Sequence, residues 1–277
     1  MPIVDYSNFE LLTDKEYYSS YGEYMSVSLL KRFASDPLGF DEYMKNRKEN
    51  ETPTDALVFG QAAHTLILEG GAEFDALYRN LGDIAINPKT GKSYGRTTKA
   101  YLKACEDAQV NPWRALSAAE CNMAFRMREA VSSHPEASEA IADCDHIEWA
   151  LRGSLAGVKF QGKLDACNKR GRIVDLKTMR SDATGQEQIE SYRYLWQAYC
   201  YTELYAKAFD LESDDVRFDF VFVSKEDNPR VEVITVDQRD FAWFESERGV
   251  LHALNGLKIS EQMNDRRAAL FFLNGGE

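Results

Sequence analysis

Three ionisable side chains in the second half of the chain have the types and spacing needed to bind a divalent cation: Asp165, Asp175 and Lys177. They lie in segments 158–167 and 172–178, where apolar and polar residues alternate with a period of two, as in strands. This alternation predicts that the three side chains share the polar face of a hairpin. Two carboxylates and an amine on one surface could bind a metal ion and act on a phosphate ester.

The turn between the two strands sets how they pair. If Asn168 lies opposite Arg172, Asp165 lies directly across from Asp175, with Cβ atoms about 4.5–5.5 Å apart. Like charges so placed destabilise a hairpin, but Mg²⁺, which takes oxygen ligands at about 2.0–2.1 Å, would neutralise them. Lys177 would then lie where a water or a phosphoryl oxygen approaches. The competing interpretation is an ordinary solvated strand face with a Lys–Asp pair, because the D…DxK pattern is short and frequent.

Two predicted helices carry further polar groups. His64 lies in the apolar segment 55–69, and a lone histidine in such a helix is more often a core residue than a ligand. On a later helix, Gln197 and Tyr201 are four residues apart and Tyr194 lies about one turn earlier, so amide and phenol groups share one face. Taken alone, that face is typical of amphipathic packing.

The hydrophobic period changes from about 3.6 to 2 near residue 143, which indicates a helical front part followed by a sheet. The predicted elements are helices at 26–44 (interrupted by a turn at Pro37), 55–69 and from the capping box Ser117–Glu120 to before Pro135, strands at 147–151, 158–167 and 172–178, a helix at 186–209, strands at 216–223 and 231–236, and a helix at 238–255. We therefore predict a single α/β domain over residues 1–277, with a mostly helical part (1–143) and a sheet core with a C-terminal helix (144–277).

The composition is that of a reduced globular protein. The 277 residues are 44% hydrophobic, which is enough for a buried core, and the five cysteines form no CxxC pair. The N-terminus carries acids where a signal peptide is basic and apolar, and no run of about 18 apolar residues occurs, so we expect a soluble, cytoplasmic protein without a membrane partner. The net charge of −12 does not exclude nucleic acid, because salt screens charges beyond about 10 Å at 0.1 M.

Four motifs, in this order, resemble the PD-(D/E)xK nuclease superfamily and, within its RecB-like group, the RecE-type exonucleases (exonuclease VIII-like). They are FGQAAHTLILE (59–69), FQGKLDA (160–166), IVDLKT (173–178) and YRYLWQAYCY (192–201), and the resemblance covers about residues 26–225. It implies the core of that superfamily, a mixed central sheet flanked by helices, here with a helical N-terminal part.

The resemblance also implies a role for each site residue. The implied metal ligands are His64, Asp165, Asp175, the backbone carbonyl of Leu176 and Glu148 in the preceding strand, for which an exposed strand carboxylate is an equally good interpretation. Lys177 is the implied catalytic lysine, acting with the two aspartates. Gln197 and Tyr201 match the QxxxY motif, which in this group lies beside the active site and the DNA, and Tyr194 is on the same helix.

The chain departs from the nominal motif at Leu164, where the superfamily name implies proline, a residue not needed for metal binding. Some RecB-like nucleases carry a four-cysteine iron–sulfur cluster, with three cysteines after the core. Only Cys200 follows the hairpin here, so no cluster is expected. The implied cofactor is Mg²⁺, and a histidine among the ligands would also accept Mn²⁺.

The activity implied by the resemblance is processive 5′ to 3′ digestion of linear double-stranded DNA, which leaves 3′ single-stranded tails for an annealing protein in recombination. The resemblance also implies a ring-shaped homo-oligomer, most simply a tetramer, around the duplex. Basic residues that could line such a channel are Lys31, Arg32, Lys89, Lys92, Arg96 and Lys99, although solvated surface is the simpler interpretation for any one of them.

Two other functions fit the same residues. The chain could be an endonuclease or an RNA-directed nuclease of this fold, which a supercoiled circular substrate would reveal. It could also be a non-catalytic DNA-binding module, although such a module has no chemical reason to retain two opposed aspartates.

Overall fold

The computed structural model describes residues 23–50, 54–81, 86–91 and 94–275. At its centre is a five-stranded sheet whose strands lie in sequence order. The strands are β3 (His146–Leu155), β4 (Val158–Cys167), β5 (Arg172–Met179), β6 (Arg217–Ser224) and β7 (Val231–Thr235). Neighbours are antiparallel except β5 and β6, which are parallel. The predicted mixed sheet is therefore confirmed.

Eleven α-helices surround this sheet in the described ranges. Those before it are α1 (Val27–Ser35), α2 (Phe40–Asn50), α3 (Asp55–His64), α4 (Gly71–Leu77), α5 (Lys99–Asp107), α6 (Ala118–Ser133) and α7 (Pro135–Ala142). The later ones are α8 (Gly185–Ser191), α9 (Tyr194–Phe209), α10 (Phe241–Met263) and α11 (Arg266–Leu273). Two short strands, β1 (Arg79–Asn80) and β2 (Ala115–Leu116), pair in parallel away from the main sheet. No helix in the described part of the chain is long and apolar enough to span a bilayer.

Strand β6 shows why helices must cover both sides of the sheet. Its phenylalanines, Phe218, Phe220 and Phe222, pack into one buried cluster, and Val221 and Val223 pack into another. A strand that is apolar on both faces is stable only where both faces are covered. We call the side covered by α9 and α10 the α9 face, and the side covered by α3 and α6 the α3 face.

Local signals set the ends of several elements. The predicted capping box at the start of α6 is confirmed, because Glu120 N donates to Ser117 Oγ and Ser117 N donates to Glu120 Oε2. Helix α3 begins at Asp55, as predicted, and Thr54 is its N-cap, with Thr54 Oγ1 accepting from Leu57 N. Between β3 and β4, Ala156 and Gly157 both have positive φ angles (49° and 82°), the backbone of a tight two-residue hairpin turn.

Three predicted helices differ in extent from the structure. The segment predicted as one helix at 55–69 is α-helical to His64 and then forms a π-helical turn, Thr65–Glu69. The helix predicted at 186–209 is two helices, α8 and α9, separated where Arg193 adopts a left-handed conformation (φ 50°). The last predicted helix, α10, continues to Met263.

Candidate metal-binding and catalytic site

The first part of the site is a local irregularity shared by β3 and β4. The ladder pairs Ile147 with Ala166 and Trp149 with Leu164, but skips the rung between them, which holds Glu148 and Asp165. Glu148 has a left-handed backbone (φ 54°), which is uncommon outside glycine and is concentrated at functional sites. Both acids therefore line a cleft on the α3 face.

The same rung ends the pairing of β4 with β5. The recorded pairs are Ala166 with Val174 and Cys167 with Ile173. Beyond them the Leu176 N–H donates to the Asp165 carboxylate (N to Oδ2, 2.8 Å). The strands thus separate at the point where Asp165 would face Asp175. The turn itself is as predicted, with Asn168 N donating to Arg172 O.

Alternation along β4 consequently fails near Asp165. Simple alternation predicts that Asp165, Asp175 and Lys177 share the polar face of the hairpin. The opposite, apolar face would then hold Leu164, Val174 and Leu176. Leu164 instead packs on the α9 face, whereas Val174 and Leu176 pack on the α3 face. The physical reason is the irregular rung, because it allows the consecutive side chains of Asp165 and Ala166 to lie on the same, α3 face of the sheet.

His64 reaches this acid pair from helix α3. It is the last residue of that helix and precedes the π-helical turn, a feature often found at functional sites. Its Nδ1 lies 3.6 Å from Asp165 Oδ2. Ligand atoms of His64, Glu148 and Asp165 all lie within 4.8 Å of one another. One imidazole and two carboxylates are a donor set suited to Mg²⁺ or Mn²⁺.

The protonation states fit a cation site. Burial, followed by the charge of Lys177, lowers the pKa of His64, so the imidazole is neutral at pH 7 and keeps a lone pair for a metal. Burial raises the pKa of Asp165, and the neighbouring charge of Glu148 adds to the rise, while Lys177 opposes it. A cation would relieve both the burial and the repulsion of these carboxylates.

A second group of site residues lies beside the first, on the α9 face. The Asp175 side chain is 1% exposed and pairs through Oδ2 with the Lys177 ammonium. Its Oδ1 accepts a hydrogen bond from Gln197 Nε2 (2.5 Å). Burial raises the pKa of Asp175, against the pull of Lys177. Although burial lowers the pKa of Lys177, the charges of Asp175 and Asp165 outweigh it and leave that pKa above its ordinary value.

The two remaining residues of the predicted DNA-binding set lie on α9. Two ammonium groups lie near the Tyr194 ring, with Lys177 Nζ 5.0 Å and Lys31 Nζ 5.5 Å from its centroid. Tyr201 lies across β4 at Gly162, where a Cβ atom would be 2.5 Å from its Cε1. Gly162 is therefore required for the close approach of this ring.

The structure also identifies residues that the motifs do not contain. Lys163 pairs with Glu148 (Nζ to Oε2, 2.7 Å) and lines the cleft, and it could have been found from its place two residues before Asp165. Lys31 lies beside Tyr194 and donates to the Tyr192 carbonyl (2.7 Å). Its position depends on how α1 packs on α9, which no local pattern encodes.

Among the candidate channel-lining bases, Arg96 needs correction. This guanidinium is buried and pairs with Asp55 Oδ1 (3.1 Å) and Glu120 Oε1 (2.5 Å). It joins α3 to α6 and is not a channel-lining base. Lys89 and Lys99 are exposed, and Lys92 lies outside the described residues.

Comparisons with known proteins identify the family and the fold of this chain. A family model described as a PDDEXK-like domain of unknown function (DUF3799) matches residues 26–258. Among solved structures, a "putative exonuclease" from Eubacterium rectale superimposes with a TM-score of 0.57 over 97% of this chain and 88% of that chain, at 20% identity. Likeness at that identity shows a shared fold. No curated protein matches. Because the family model covers most of its length, the chain belongs to the PDDEXK-like DUF3799 family and has the PD-(D/E)xK nuclease fold.

Proposed function

We propose that this protein is a metal-dependent nuclease that hydrolyses phosphodiester bonds in DNA. The observation that carries the proposal is the convergence of His64, Glu148 and Asp165 within 4.8 Å. This cluster adjoins the Asp175–Lys177 pair across the separated strands, since the charge of Lys177 acts on both Asp165 and His64. The imidazole and the carboxylates can bind a divalent cation, and the lysine can offset negative charge on the phosphate.

His64, Glu148 and Asp165 would hold the cation, together with the backbone carbonyl of Leu176, which the motifs imply as a further ligand. Asp175 is a further ligand in the set implied by the motifs, and it would have to give up part of its pairing with Lys177. When bound, a divalent cation lowers the pKa of a water molecule and stabilises negative charge on the phosphate.

Lys177 supplies a positive charge in this proposal. The adjoining aspartates raise its pKa, which favours a protonated amine that orients water and offsets charge on phosphoryl oxygens over an amine that removes a proton. Gln197 holds the Asp175 carboxylate and thereby positions Lys177. Tyr194 and Tyr201 would support the DNA-facing helix, with Tyr194 beside both lysines.

We further propose exonuclease action on ends of linear double-stranded DNA, processive and 5′ to 3′, with Mg²⁺ as cofactor and Mn²⁺ as a substitute. The four RecE-type motifs and the fold shared with a protein described as an exonuclease support this choice. The same resemblance supports a cytoplasmic ring-shaped homo-oligomer, a tetramer in the simplest case, that supplies 3′ tails to a single-strand annealing protein.

Digestion of linear duplex labelled at either the 5′ or the 3′ end tests activity, cofactor and polarity together. We expect release of the 5′ label as mononucleotides with Mg²⁺ or Mn²⁺, and none with EDTA. Cleavage of a supercoiled circle would instead indicate an endonuclease, and cleavage of RNA alone an RNA-directed nuclease. Binding of DNA without cleavage under any metal condition would leave only a DNA-binding module.

A further inference from the structure

The cleft that contains the metal-ligand cluster is also lined by residues that have no role in the proposed chemistry. The cleft has a volume of about 830 Å³, the size of a small-ligand pocket (about 300–1,000 Å³). It is lined by His64, Glu148 and Asp165, and also by a second group of residues that includes Tyr78, Trp113 and Arg114. A pocket of this size can hold one or a few nucleotides of a single strand, whereas a duplex is far too bulky.

Local hydrogen bonds hold the aromatic and basic side chains of this second group in place. Asn111 Oδ1 accepts from the Trp113 backbone N–H (3.0 Å), which fixes the single 3₁₀ turn Pro112–Arg114. Arg114 Nη1 donates to the Tyr78 hydroxyl (2.8 Å), and its guanidinium lies over the Tyr78 ring at 5.1 Å. That bond uses one of the five N–H donors of the guanidinium, so Arg114 is positioned and can still donate to a phosphate oxygen.

The turn is also anchored relative to the rest of the cleft. Strand β2 follows it directly and pairs with β1, with Ala115 opposite Arg79. Strand β1 in turn follows Tyr78, so the partner of Arg114 and the turn that carries Trp113 are joined by the same small sheet. Trp113 is half-buried and packs in part against the α3-face core. Side chains with such restricted motion lose little entropy when a ligand binds.

The charges of the cleft indicate how a nucleic acid could bind there. Four carboxylates line it, those of Glu69, Glu73, Glu148 and Asp165, against the two cationic side chains of Lys163 and Arg114. Lys163 is already paired with Glu148. Phosphate contacts alone would therefore be weak on this surface, and stacking of a base on an aromatic ring, which does not depend on net charge, would have to contribute much of the affinity.

From this arrangement we infer that Trp113 and Arg114 form a binding subsite for one unpaired nucleotide of the strand being cleaved, with the base stacked on Trp113 and a phosphate bound by Arg114. The inference rests on the proposed nuclease function and extends it, because it makes the cleft select a single strand at a DNA end. Trp113 and Arg114 are positioning residues, which hold the strand next to the metal-ligand cluster.

Binding of a short single-stranded oligonucleotide that contains 2-aminopurine tests the subsite without any requirement for cleavage. The full chain would be titrated in the presence of Ca²⁺, and anisotropy of an end label and 2-aminopurine fluorescence would both be measured. We expect Trp113→Ala to raise the dissociation constant about tenfold, within the range of base–aromatic stacking, and to abolish quenching of 2-aminopurine. Trp113→Phe should retain part of both signals.

Arg114 gives a second, independent readout. Arg114→Met should reduce the slope of log Kd against log salt by about 1, because one phosphate contact is lost, while Arg114→Lys should keep the slope. Phe244→Ala is the matched control, since Phe244 is an exposed aromatic residue (50% exposed) on α10, away from the cleft. Thermal melting of every variant checks that the fold is retained.

Wild-type binding by folded Trp113→Ala and Arg114→Met variants would overturn the subsite, whether or not the protein cleaves DNA. If those variants lose binding as expected but the wild type cleaves nothing with Mg²⁺ or Mn²⁺, the subsite stands and the nuclease proposal fails. If the wild type cleaves DNA and the two variants bind normally, the nuclease proposal stands and the subsite is wrong.

Discussion

The two sides of one hairpin place carboxylates in opposite circumstances. On the α3 face, Asp165 lies with Glu148 and His64 in an open cleft, and burial and the Glu148 charge raise its pKa. On the α9 face, Asp175 is enclosed and pairs with Lys177. Protein groups therefore neutralise the Asp165 carboxylate only in part, whereas the Asp175 carboxylate is already neutralised by Lys177.

This difference shows how one pair of strands can serve two purposes. Because β4 and β5 separate after two rungs of the ladder, the Asp165 carboxylate can turn toward α3 while Asp175 stays against α9. A regular hairpin would place both acids on one face, where they would repel each other. Separation of the strands instead allows a cation site and a buried lysine to lie side by side.

The largest expected effect is on catalysis, from Lys177→Met. Loss of a charge that stabilises the transition state should lower the rate of DNA cleavage about 10²–10³-fold, measured with labelled linear duplex and Mg²⁺. The variant should also melt earlier, because it leaves the enclosed Asp175 carboxylate without its ion-pair partner.

A double variant separates these two effects. Asp175→Asn combined with Lys177→Met should recover the melting temperature, since no enclosed charge remains, but should stay inactive. Near-normal cleavage by the single variant would remove Lys177 from the mechanism.

The second prediction asks which face binds the metal. Asp165→Asn should weaken Mn²⁺ binding about 10–100-fold (about 1.4–2.8 kcal/mol), because a neutral amide oxygen replaces a charged carboxylate ligand, and Asp175→Asn should weaken it less. Calorimetric titration of both variants measures the difference. The reverse order would move the cation site to the α9 face.

The third prediction concerns stability without metal. Burial raises the folded-state pKa of Asp165, so the stabilisation associated with its proton is complete below the unfolded-state pKa of about 3.9 and is lost as pH rises through the folded-state pKa. An asparagine side chain at this position is neutral at every pH considered, and its amide oxygen can still accept a hydrogen bond from Leu176 N–H. Asp165→Asn should therefore be more stable than the wild type at pH 8 by roughly 1–2 kcal/mol, taking about 1.4 kcal/mol per pKa unit.

That gain in stability should vanish near pH 4, where residue 165 is uncharged in the folded wild type as well as in the Asp165→Asn variant. Thermal melting in EDTA at a series of pH values measures it, and comparison at equal pH cancels most effects of other groups. A variant that is less stable than the wild type at pH 8 would show that Asp165 is stabilising as an anion.

The smallest expected effect is at Lys31. Burial, followed by the charge of Lys177, lowers the pKa of Lys31 to about 8, and the Lys31 and Lys177 ammonium groups both lie near the Tyr194 ring. If it contacts DNA, Lys31→Met should weaken DNA binding a few-fold and reduce the salt slope by about 1, and Lys31→Arg should restore both. An unchanged slope would indicate a packing role.

Much of the hairpin could be predicted from local patterns. The strands β4 and β5 follow from their period-two alternation, and the turn register follows from Asn168, whose side chain also accepts from Arg170 N and Arg172 N. Residue patterns failed where a longer-range contact decides the conformation. The sequence around Arg96 is typical of an exposed loop, but the Arg96 side chain is buried and pairs with acids on two different helices.

The helix break at Arg193 also could not be predicted from local sequence. Neither proline nor glycine occurs at 189–197, so the sequence predicts one continuous helix. Helix α8 ends at Ser191 and α9 begins at Tyr194 with Arg193 left-handed between them. The break leaves Tyr194 against Phe220 and Phe222 of the sheet, a contact that local propensity does not contain.

The sequence by itself determined the strand periods, the capping box of α6, the order of the four motifs and hence the nuclease fold, because these depend on residues close together in the chain. Only the tertiary structure decided which acids meet. Glu148 and Asp165 turn into one cleft because strands β3, β4 and β5 lose regular pairing at a single rung, and the partners that hold this rung, His64 and Leu176, come from a helix and a strand far apart in sequence.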